Sequence, residues 1–355
     1  MPGTEDTTPR GATIYSVAAA AGVSIATVSR VVAGSTVVSE TTRTKVLAAM
    51  DSLDYLPSGA ARSLAVRQHD THGLVLPELN GPYYAELLVG FETRAAQLQQ
   101  SVMVVIANSK ADRAAAVRKL ATRVDGIAML GSDSVHLARS PKPVVIIAGE
   151  TQPGAEAVAA ENVESATKLT EHLLNHGRTN LLFLGAIDRA ADVRERYQGF
   201  VAAHMARDLV PAQPVAVEFR EHAGAGIADR ILSGDLTADA LFCGNDEIAL
   251  AVMTRLIDGG VDVPADIAVV GWDDVMTSRY VRPGLTTVRQ PVQQLGAVAA
   301  DRLHELVHGA NFRLERQILP SELVIRSSCG CPPPHSQPVT PAKVGQHQNR
   351  PRGIR

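Results

Sequence analysis

Cysteine is scarce in this 355-residue chain, which contains only Cys243, Cys329 and Cys331. An odd number of cysteines at this spacing excludes a framework of disulfides, and the cytoplasm is the expected compartment. Cys329 and Cys331 flank a glycine and are followed by His335, but one short cluster beside a proline-rich tail is a weak metal signal. We therefore predict no metal and no cofactor.

Long apolar segments are also missing. No stretch approaches the roughly 20 apolar residues that a membrane helix needs. The N-terminus, MPGTEDTTPRG, contains two acidic residues and no apolar run, so we expect neither a secretory signal nor a membrane partner. The net charge of -3 argues against binding of nucleic acid over the whole surface, yet residues 10–67 carry six basic and three acidic side chains. This distribution favours DNA binding confined to one end.

Catalytic sequence motifs are also missing. We identify no phosphate-loop lysine, no nucleophile elbow and no pair of histidines at metal-binding spacing. The nearest glycine pattern, Gly224-Ala225-Gly226, lacks a third glycine and indicates the start of a helix. A dinucleotide-dependent oxidoreductase is therefore a disfavoured alternative, and we predict no enzyme and no catalytic residue.

The most informative segment is 13–34, TIYSVAAAAGVSIATVSRVVAG, which contains two short helical patterns. Gly22 allows a break between them, and Ser24 can cap the second helix. Ala26, Ser29 and Arg30 project away from the apolar face, with Ile25 at the leading end. The apolar face itself is formed by Val17, Ala18, Ala21, Val28, Val31 and Val32. Two short helices with a small, polar outer face that ends in arginine suit the major groove of DNA, so we predict a helix-turn-helix.

The third helix of this end follows Ser39 and carries an apolar stripe of Val46, Met50 and Leu53. The next helical pattern begins after Pro57, and its apolar side includes Ala61 and Leu64. It is too short to be stable alone, so it needs a partner. The predicted boundaries are a disordered leader 1–12, a DNA-binding domain 13–57, a hinge helix and linker 58–72, a two-lobed body 73–331 and a disordered tail 332–355.

The body alternates apolar strand patterns with helical patterns. Strands are predicted at 73–79, 102–107, 126–130, 143–148, 181–186, 214–219, 239–243 and 267–271, helices at 83–99, 112–122 and 291–308, and an extended return at 314–325. Uninterrupted apolar strands between helices indicate parallel sheets that are covered on both faces. The two series predict two similar lobes, and the expected ligand site lies beyond the carboxyl ends of the strands, in the cleft between the lobes.

Taken in order, several stretches resemble the lactose-repressor (LacI/GalR) family of bacterial transcription regulators over about residues 13–328. They are VAAAAGVSIATVSRVVAG, VSETTRTKVLAAMDSLDYLPSGAARSLA, NGPYYAEL, RVDGIAML, HLLNHGRTNLLFLG, GNDEIALAVM, VPADIAVVGWDD, RPGLTTVRQPVQQLG and SELVIRSS. The resemblance implies an all-α helix-turn-helix head and an α/β two-lobed, periplasmic-binding-protein-like body with parallel sheets. It also implies a homodimer that binds a near-palindromic operator in double-stranded DNA and represses transcription under the control of a small-molecule effector, in the cytoplasm and on the nucleoid.

The resemblance assigns the DNA-binding residues one by one. Ile25, Ala26 and Arg30 match the base-contacting positions of the family, where arginine can hydrogen-bond a guanine edge. Leu64 matches the leucine that the family inserts into the minor groove, and Ala61 lies on the same side of the hinge helix. Phosphate contacts are expected from Ser24, Thr27 and Ser29. Gly59 departs from the family pattern and predicts a hinge helix that is weaker by roughly 0.5–1 kcal/mol than one with alanine.

The resemblance also implies an effector site, for which a sugar or sugar derivative is expected. Arg194 of VRERYQGF, Asn245 of GNDE and Asp273 of GWDD match its polar contacts, and an arginine, an amide and a carboxylate can satisfy neighbouring hydroxyls. The opposing wall is matched by Asn80, Tyr83 and Tyr84. Simpler roles are open for three neighbours: a helix cap for Asp246 and for Asp274, and plain core for Trp272.

One family feature is missing, and one alternative shares the body plan. Where the family has an acidic residue after the fourth strand, this sequence has Ala148-Gly149-Glu150, which leaves Glu150 as a substitute. A transport-type sugar-binding protein has the same two-lobed body. The N-terminal head and the expected absence of an export signal argue against that alternative.

Overall fold

The computed structural model describes residues 12–32, 34, 37–55, 68–131, 140–313 and 315–332. Ala61 and Leu64 of the predicted hinge helix lie outside the described residues, as do Gly59, His335 and nearly all of the predicted leader and tail. The chain forms two compact units. Unit 1 comprises Met1–Asn162, Asp188–Glu195 and Pro291–Ser321, and unit 2 comprises Val163–Ile187, Arg196–Gln290 and Glu322–Arg355.

The first three helices form a small bundle: α1 spans Ile14–Ala21, α2 spans Ile25–Val32 and α3 spans Glu40–Ser52. Thr13 starts α1 with a capping box, in which its backbone N–H donates to Ser16 Oγ at 2.8 Å. Gly22 ends α1 in the left-handed region at φ 67°. α1 and α2 are bent by 105° relative to each other, which is the range expected of a helix-turn-helix. The buried core of the bundle consists of Val17, Ala18, Val28, Val31, Val46 and Ala49.

Unit 1 contains a six-stranded parallel sheet in the order β10-β5-β4-β3-β1-β2. Its strands are β1 Thr71–Leu76, β2 Ser101–Ile106, β3 Gly126–Leu130, β4 Val144–Ile147, β5 Ala155–Ala160 and β10 Gln317–Leu319, and its helices are α4 Pro82–Gln97, α5 Lys110–Leu120 and α10 Val292–Val307. β3, β4 and β5 are buried along their whole length. Strands covered on both faces need continuous apolar sequence, which is why their patterns do not alternate.

Unit 2 contains a three-stranded parallel sheet in the order β6-β7-β8 and a two-stranded antiparallel ribbon. The parallel strands are β6 Leu181–Leu184, β7 Ala240–Cys243 and β8 Ala268–Val270, and the ribbon pairs β9 Thr287–Arg289 with β11 Glu322–Val324. Its helices are α6 Val163–Asn175, most of α7 Ala191–Met205, α8 Glu221–Leu232 and α9 Asp246–Asp258. A short 3-10 helix covers Met276–Arg279.

Most predicted elements are confirmed, and the structure differs from the predictions at one strand that does not form, one strand that was not predicted and one boundary. The strand predicted at 214–219 is wrong, because only Val215 pairs with β6, through a single bridge to Leu184. β5 was not predicted, since its sequence AEAVAA is rich in alanine, which is depleted in strands. β1 begins at Thr71, within the range 58–72 that was predicted as hinge and linker.

Within the described residues, no single helix has the length and apolar composition to cross a membrane. α1 and α2 taken together meet that test by length and composition only, with the 105° bend between them.

Candidate functional site

The outer face of α2 is the candidate DNA interface. Ala26 and Arg30 are exposed, Ser29 is half-buried, and Ile25 is 42% exposed although it is a large apolar residue. Val28 and Val31 occupy the opposite, buried face of the same helix. The helix therefore presents the predicted base-contacting residues to the outside while its valines hold it in the bundle.

Ser24 and Thr27 form the start of α2. The backbone N–H of Thr27 donates to Ser24 Oγ at 3.2 Å, and the two hydroxyl oxygens lie 2.9 Å apart. The predicted cap by Ser24 is confirmed by this contact. Both hydroxyls lie at the N-terminus of the helix, a position where phosphates bind well.

Two predicted effector residues lie directly after neighbouring strands of unit 2. Asn245 follows β7 and caps α9, because its Oδ1 accepts from Ile248 N at 3.0 Å. Asp273 follows β8 and accepts a hydrogen bond from Gln290 Nε2 at 2.6 Å. Its φ of 122° lies in a region that favours glycine. Strained backbone of this kind persists only where the surroundings hold it, as at ligand sites.

Asp246 connects the loop that carries Asn245 to the loop that carries Asp273. It is fully buried, and its carboxylate accepts from Val275 N at 2.9 Å, from Ser278 Oγ at 2.6 Å and from Thr287 Oγ1 at 2.6 Å. Burial raises the pKa of this carboxyl, although the same three hydrogen bonds act against the shift. Its backbone N–H donates to the carbonyl of Trp272 at 2.7 Å, which ties the loop after β7 to the loop after β8.

The helix-cap role considered for Asp246 and Asp274 is wrong. The cap of α9 is Asn245, and Asp246 is the first helical residue. Asp274 is buried and accepts from Arg289 Nε at 2.8 Å and from Arg326 Nη2 at 2.5 Å. Desolvated carboxylates need such charge-assisted partners, so Asp274 anchors the ribbon end of unit 2.

Arg196 is a polar residue of this edge that the sequence analysis missed. It is buried in α7, donates from Nη1 to the carbonyl of Gly244 at 2.6 Å, and its guanidinium carbon lies 4.7 Å from the ring centroid of Trp272. Trp272 is fully buried, as the core interpretation expects, and its indole Nε1 has no hydrogen-bond partner among the described residues. Helical spacing could have identified Arg196 as a buried residue, because Arg196, Phe200 and Ala203 share the buried face of α7.

Arg194 has a different environment. Its Nη2 lies 3.2 Å from Glu150 Oε1, and both residues belong to unit 1, with side chains 40% and 64% exposed. Two residues apart on a helix, Arg194 and Arg196 point to different sides. The structure therefore pairs the predicted arginine with the acidic residue considered as a substitute.

The other predicted residues of unit 1 follow β1. Asn80 is exposed and its Nδ2 lies 3.5 Å from Glu78 Oε2, whereas the Tyr84 hydroxyl donates to Glu78 Oε1 at 3.2 Å. Tyr83 and Tyr84 are half-buried and pack edge to face with centroids 5.7 Å apart. The structure thus brings Tyr84 and Asn80 together with Glu78, which was not predicted.

These features define a helix-turn-helix DNA-binding domain joined to a ligand-binding α/β body. Residues 13–58 match the family described as "Bacterial regulatory proteins, lacI family", and residues 170–329 match the "Periplasmic binding protein-like domain". The chain belongs to the lacI family, so it is a DNA-binding transcriptional regulator with an effector-binding domain and not an enzyme.

Similar proteins cover nearly the whole chain. Catabolite control protein A of Priestia megaterium is 31% identical over 327 residues, which are 89% of this chain and 98% of that protein. The HTH-type transcriptional regulator GalR of Escherichia coli strain K12 is 31% identical over 332 residues, or 90% and 96% of the two chains. The crystal structure of the lac repressor dimer bound to operator and the anti-inducer ONPF superposes with a TM-score of 0.80 at 29% identity, covering 90% of this chain and 99% of that one.

Proposed function

We propose that the chain is a cytoplasmic, dimeric repressor that binds a near-palindromic operator and whose operator affinity is controlled by a sugar or sugar derivative. The observation that carries the effector proposal is the edge of unit 2, where an amide, a carboxylate, a guanidinium and an indole lie after or beside consecutive strands. Paired polar groups of this kind suit a ligand with several hydroxyls, because each hydroxyl both donates and accepts. The similar structure described as a complex of the transcriptional regulator CelR with cellobiose, at 27% identity and a TM-score of 0.66, supports the same class.

The proposed effector contacts are Asn245, Asp273 and Arg196 in unit 2. Because the cap uses Oδ1 of Asn245, its Nδ2 group is the part that would donate to a ligand. Asn80, Tyr83, Tyr84 and Arg194 of unit 1 are proposed as further contacts on the family resemblance.

The effector proposal is tested by a thermal-shift screen of sugars and nucleosides on the full chain, followed by calorimetry with the best ligand. A sugar at 100 times its Kd should stabilise the protein by about 2.7 kcal/mol. Arg196→Gln should weaken sugar binding more than about tenfold, because a buried donor is lost. Arg194→Gln is the matched variant and should weaken it less. Binding of nucleosides alone, or equal loss in the two variants, would contradict the proposal.

The proposed DNA contacts are Ile25, Ala26 and Arg30 on bases, and Ser24, Thr27 and Ser29 on phosphates. Ala61 and Leu64 are proposed as hinge contacts. Selection of bound duplexes from a random library should yield near-palindromic sites, since a two-fold dimer presents two equal heads. Arg30→Ala should cost about 1–3 kcal/mol and relax the preference at one position in each half-site. Ser24→Ala should weaken binding to all sequences alike. A parent protein that binds no DNA site in preference to random duplex would refute the proposal.

Coupling between the two sites is tested in the same titrations. If the effector changes operator affinity by some factor, then operator must change effector affinity by the same factor. If a sugar stabilises the protein but leaves operator affinity unchanged, then that sugar is not the effector. The lac repressor dimer bound to operator and anti-inducer supports the dimer and the coupling.

A further inference from the structure

Four potential metal ligands lie close together in unit 2. They come from two segments that are far apart in the sequence. His172 lies on α6, His176 directly follows the last residue of that helix, and Cys329 and Cys331 lie on the segment after β11. One ligand atom from each residue falls within 4.8 Å of the other three. The prediction that no histidine pair stands at metal spacing is therefore wrong. The two histidines are four residues apart, and the backbone N–H of His176 donates to the carbonyl of His172 at 3.2 Å, so one helical turn places both on the same side.

The distances among these atoms suit one small ion. His172 Nε2 lies 3.2 Å from Cys329 Sγ and 3.6 Å from Cys331 Sγ, and His176 Nε2 lies 3.3 Å from Cys331 Sγ. Around a tetrahedral zinc with bonds of about 2.0–2.3 Å, neighbouring nitrogen and sulfur ligands stand roughly 3.5 Å apart. The side chains need no large movement to reach that geometry.

The backbone holds the two cysteines in place. Gly330 between them has φ 108°, a conformation that favours glycine, and this reversal turns both thiols towards α6. Ser328 Oγ accepts from Thr286 N at 2.9 Å and donates to the carbonyl of Val269, so the residue before Cys329 is fixed to the core of unit 2. The Thr286 hydroxyl donates to Cys329 Sγ at 3.1 Å. A donor at the sulfur is the usual support of a ligating thiolate.

We propose that His172, His176, Cys329 and Cys331 form a structural zinc site that ties the C-terminal segment to α6. Two thiolates and two imidazoles complete a tetrahedron and leave no position for a substrate, which is the mark of a structural site. The ion would cross-link two segments more than 150 residues apart in sequence, as the His172–Cys329 contact does. This site is separate from the proposed effector contacts and changes the sequence-based expectation that the chain binds no metal.

The test uses the full chain, purified under reducing conditions without chelator and analysed for metal by mass spectrometry. We expect about one zinc per chain. Replacement by Co²⁺ should give the visible bands of tetrahedral cobalt and a thiolate charge-transfer band in the ultraviolet. A chelator should lower the Tm, and zinc but not magnesium should restore it.

Variants separate this site from adventitious binding. His176→Ala and Cys331→Ser change residues that are exposed or half-buried and should fold, yet each should bind zinc more than about 100-fold more weakly. His222→Ala changes an exposed histidine of α8 and is the control that should keep the metal. Three results would overturn the proposal: a reduced chain that binds no zinc, zinc content equal in all variants, or a mass that reveals a disulfide between Cys329 and Cys331.

Discussion

The two units differ in where their most constrained groups lie relative to the predicted effector residues. In unit 1, a tightly packed point is the crossing of α4 and α10, where a Cβ on Gly90 would overlap the carbonyl oxygen of Gln293. In unit 2, a constrained group is the buried carboxylate of Asp246, the residue that directly follows Asn245 and holds the loop around Asp273.

The buried charged residues of unit 1 also lie apart from its predicted effector residues. Unit 1 contains a buried ion pair between Arg302 of α10 and Glu156 of β5, with Arg302 Nη2 2.6 Å from Glu156 Oε1. Its predicted effector residues are half-buried or exposed and have looser partners. From this comparison we predict that unit 1 separates stability from the proposed effector binding, whereas in unit 2 one buried carboxylate supports both. Three substitutions test this difference.

The largest effect is expected from Gly90→Ala in unit 1. The added methyl group meets backbone atoms of α10, which cannot move aside as a side chain can, so the helices must separate. We expect a loss of about 3 kcal/mol or more in the free energy of unfolding, measured by urea titration.

Gly226→Ala is the matched control, because Gly226 also lies in a helix and a Cβ there meets nothing within 4 Å. It should stabilise the protein by about 0.5–1 kcal/mol through the lost flexibility of the unfolded chain. Equal effects of the two substitutions would show that the crossing is not tight.

Asp246→Ala in unit 2 should reduce stability and effector binding together. It removes the acceptor of three buried hydrogen bonds, which should cost about 2–3 kcal/mol of stability. Because the loop that carries Asp273 loosens, effector affinity should fall as well.

Asp246→Asn keeps one acceptor oxygen and avoids the burial of charge that raises the pKa of this carboxyl, so it should be milder. Unfolding and effector titrations on the same samples measure both properties. A loss of stability with unchanged effector affinity would break the comparison between the units.

The smallest effect concerns His72 of β1, which is fully buried and whose two ring nitrogens have no hydrogen-bond partner among the described residues. Burial and then the nearby His304 lower its pKa from 6.5 to about 4, although Asp125 acts in the opposite direction. Below pH 6.5 the unfolded chain takes up a proton that the folded chain does not accept until about pH 4. Stability is therefore lost as the pH falls through this window.

Between about pH 7.5 and about pH 5 this histidine should remove about 2 kcal/mol of stability. His72→Leu should flatten the dependence of the urea midpoint on pH, and His222→Ala should leave it as in the parent. An unchanged pH dependence in His72→Leu would show that another group dominates the acid sensitivity of unit 1.

Sequence patterns predicted the elements whose environment is uniform. β3 and β4 are buried on both faces, so their apolar runs were sufficient to identify them. The segment 214–219 has a similar pattern, yet only Val215 pairs with the free edge of β6, because an apolar pattern does not determine how many residues run alongside a neighbouring strand. The alanine-rich β5 shows the reverse case, in which neighbouring strands impose a conformation that its composition does not favour.

Site residues could likewise be predicted where a local pattern determines their environment. The face of α2 was predictable, since helical spacing alone separates Val28 and Val31 from Ala26 and Arg30. In α7 the motif drew attention to Arg194, whereas Arg196 is the arginine that contacts Trp272 and Gly244. Both arginines fit the letter pattern, and only the packing of the helix distinguishes them.

The order of helices and strands, the helix-turn-helix and the membership in a family of DNA-binding regulators could all be read from the amino-acid sequence, because they depend on local spacing and on motifs within short segments. The folded structure was needed to show that Asp246 is a buried anchor, that Arg196 lies over an indole, and that His172 and His176 meet Cys329 and Cys331. Those contacts join segments far apart in the chain, and the geometry that brings them together arises when the sheets and helices pack.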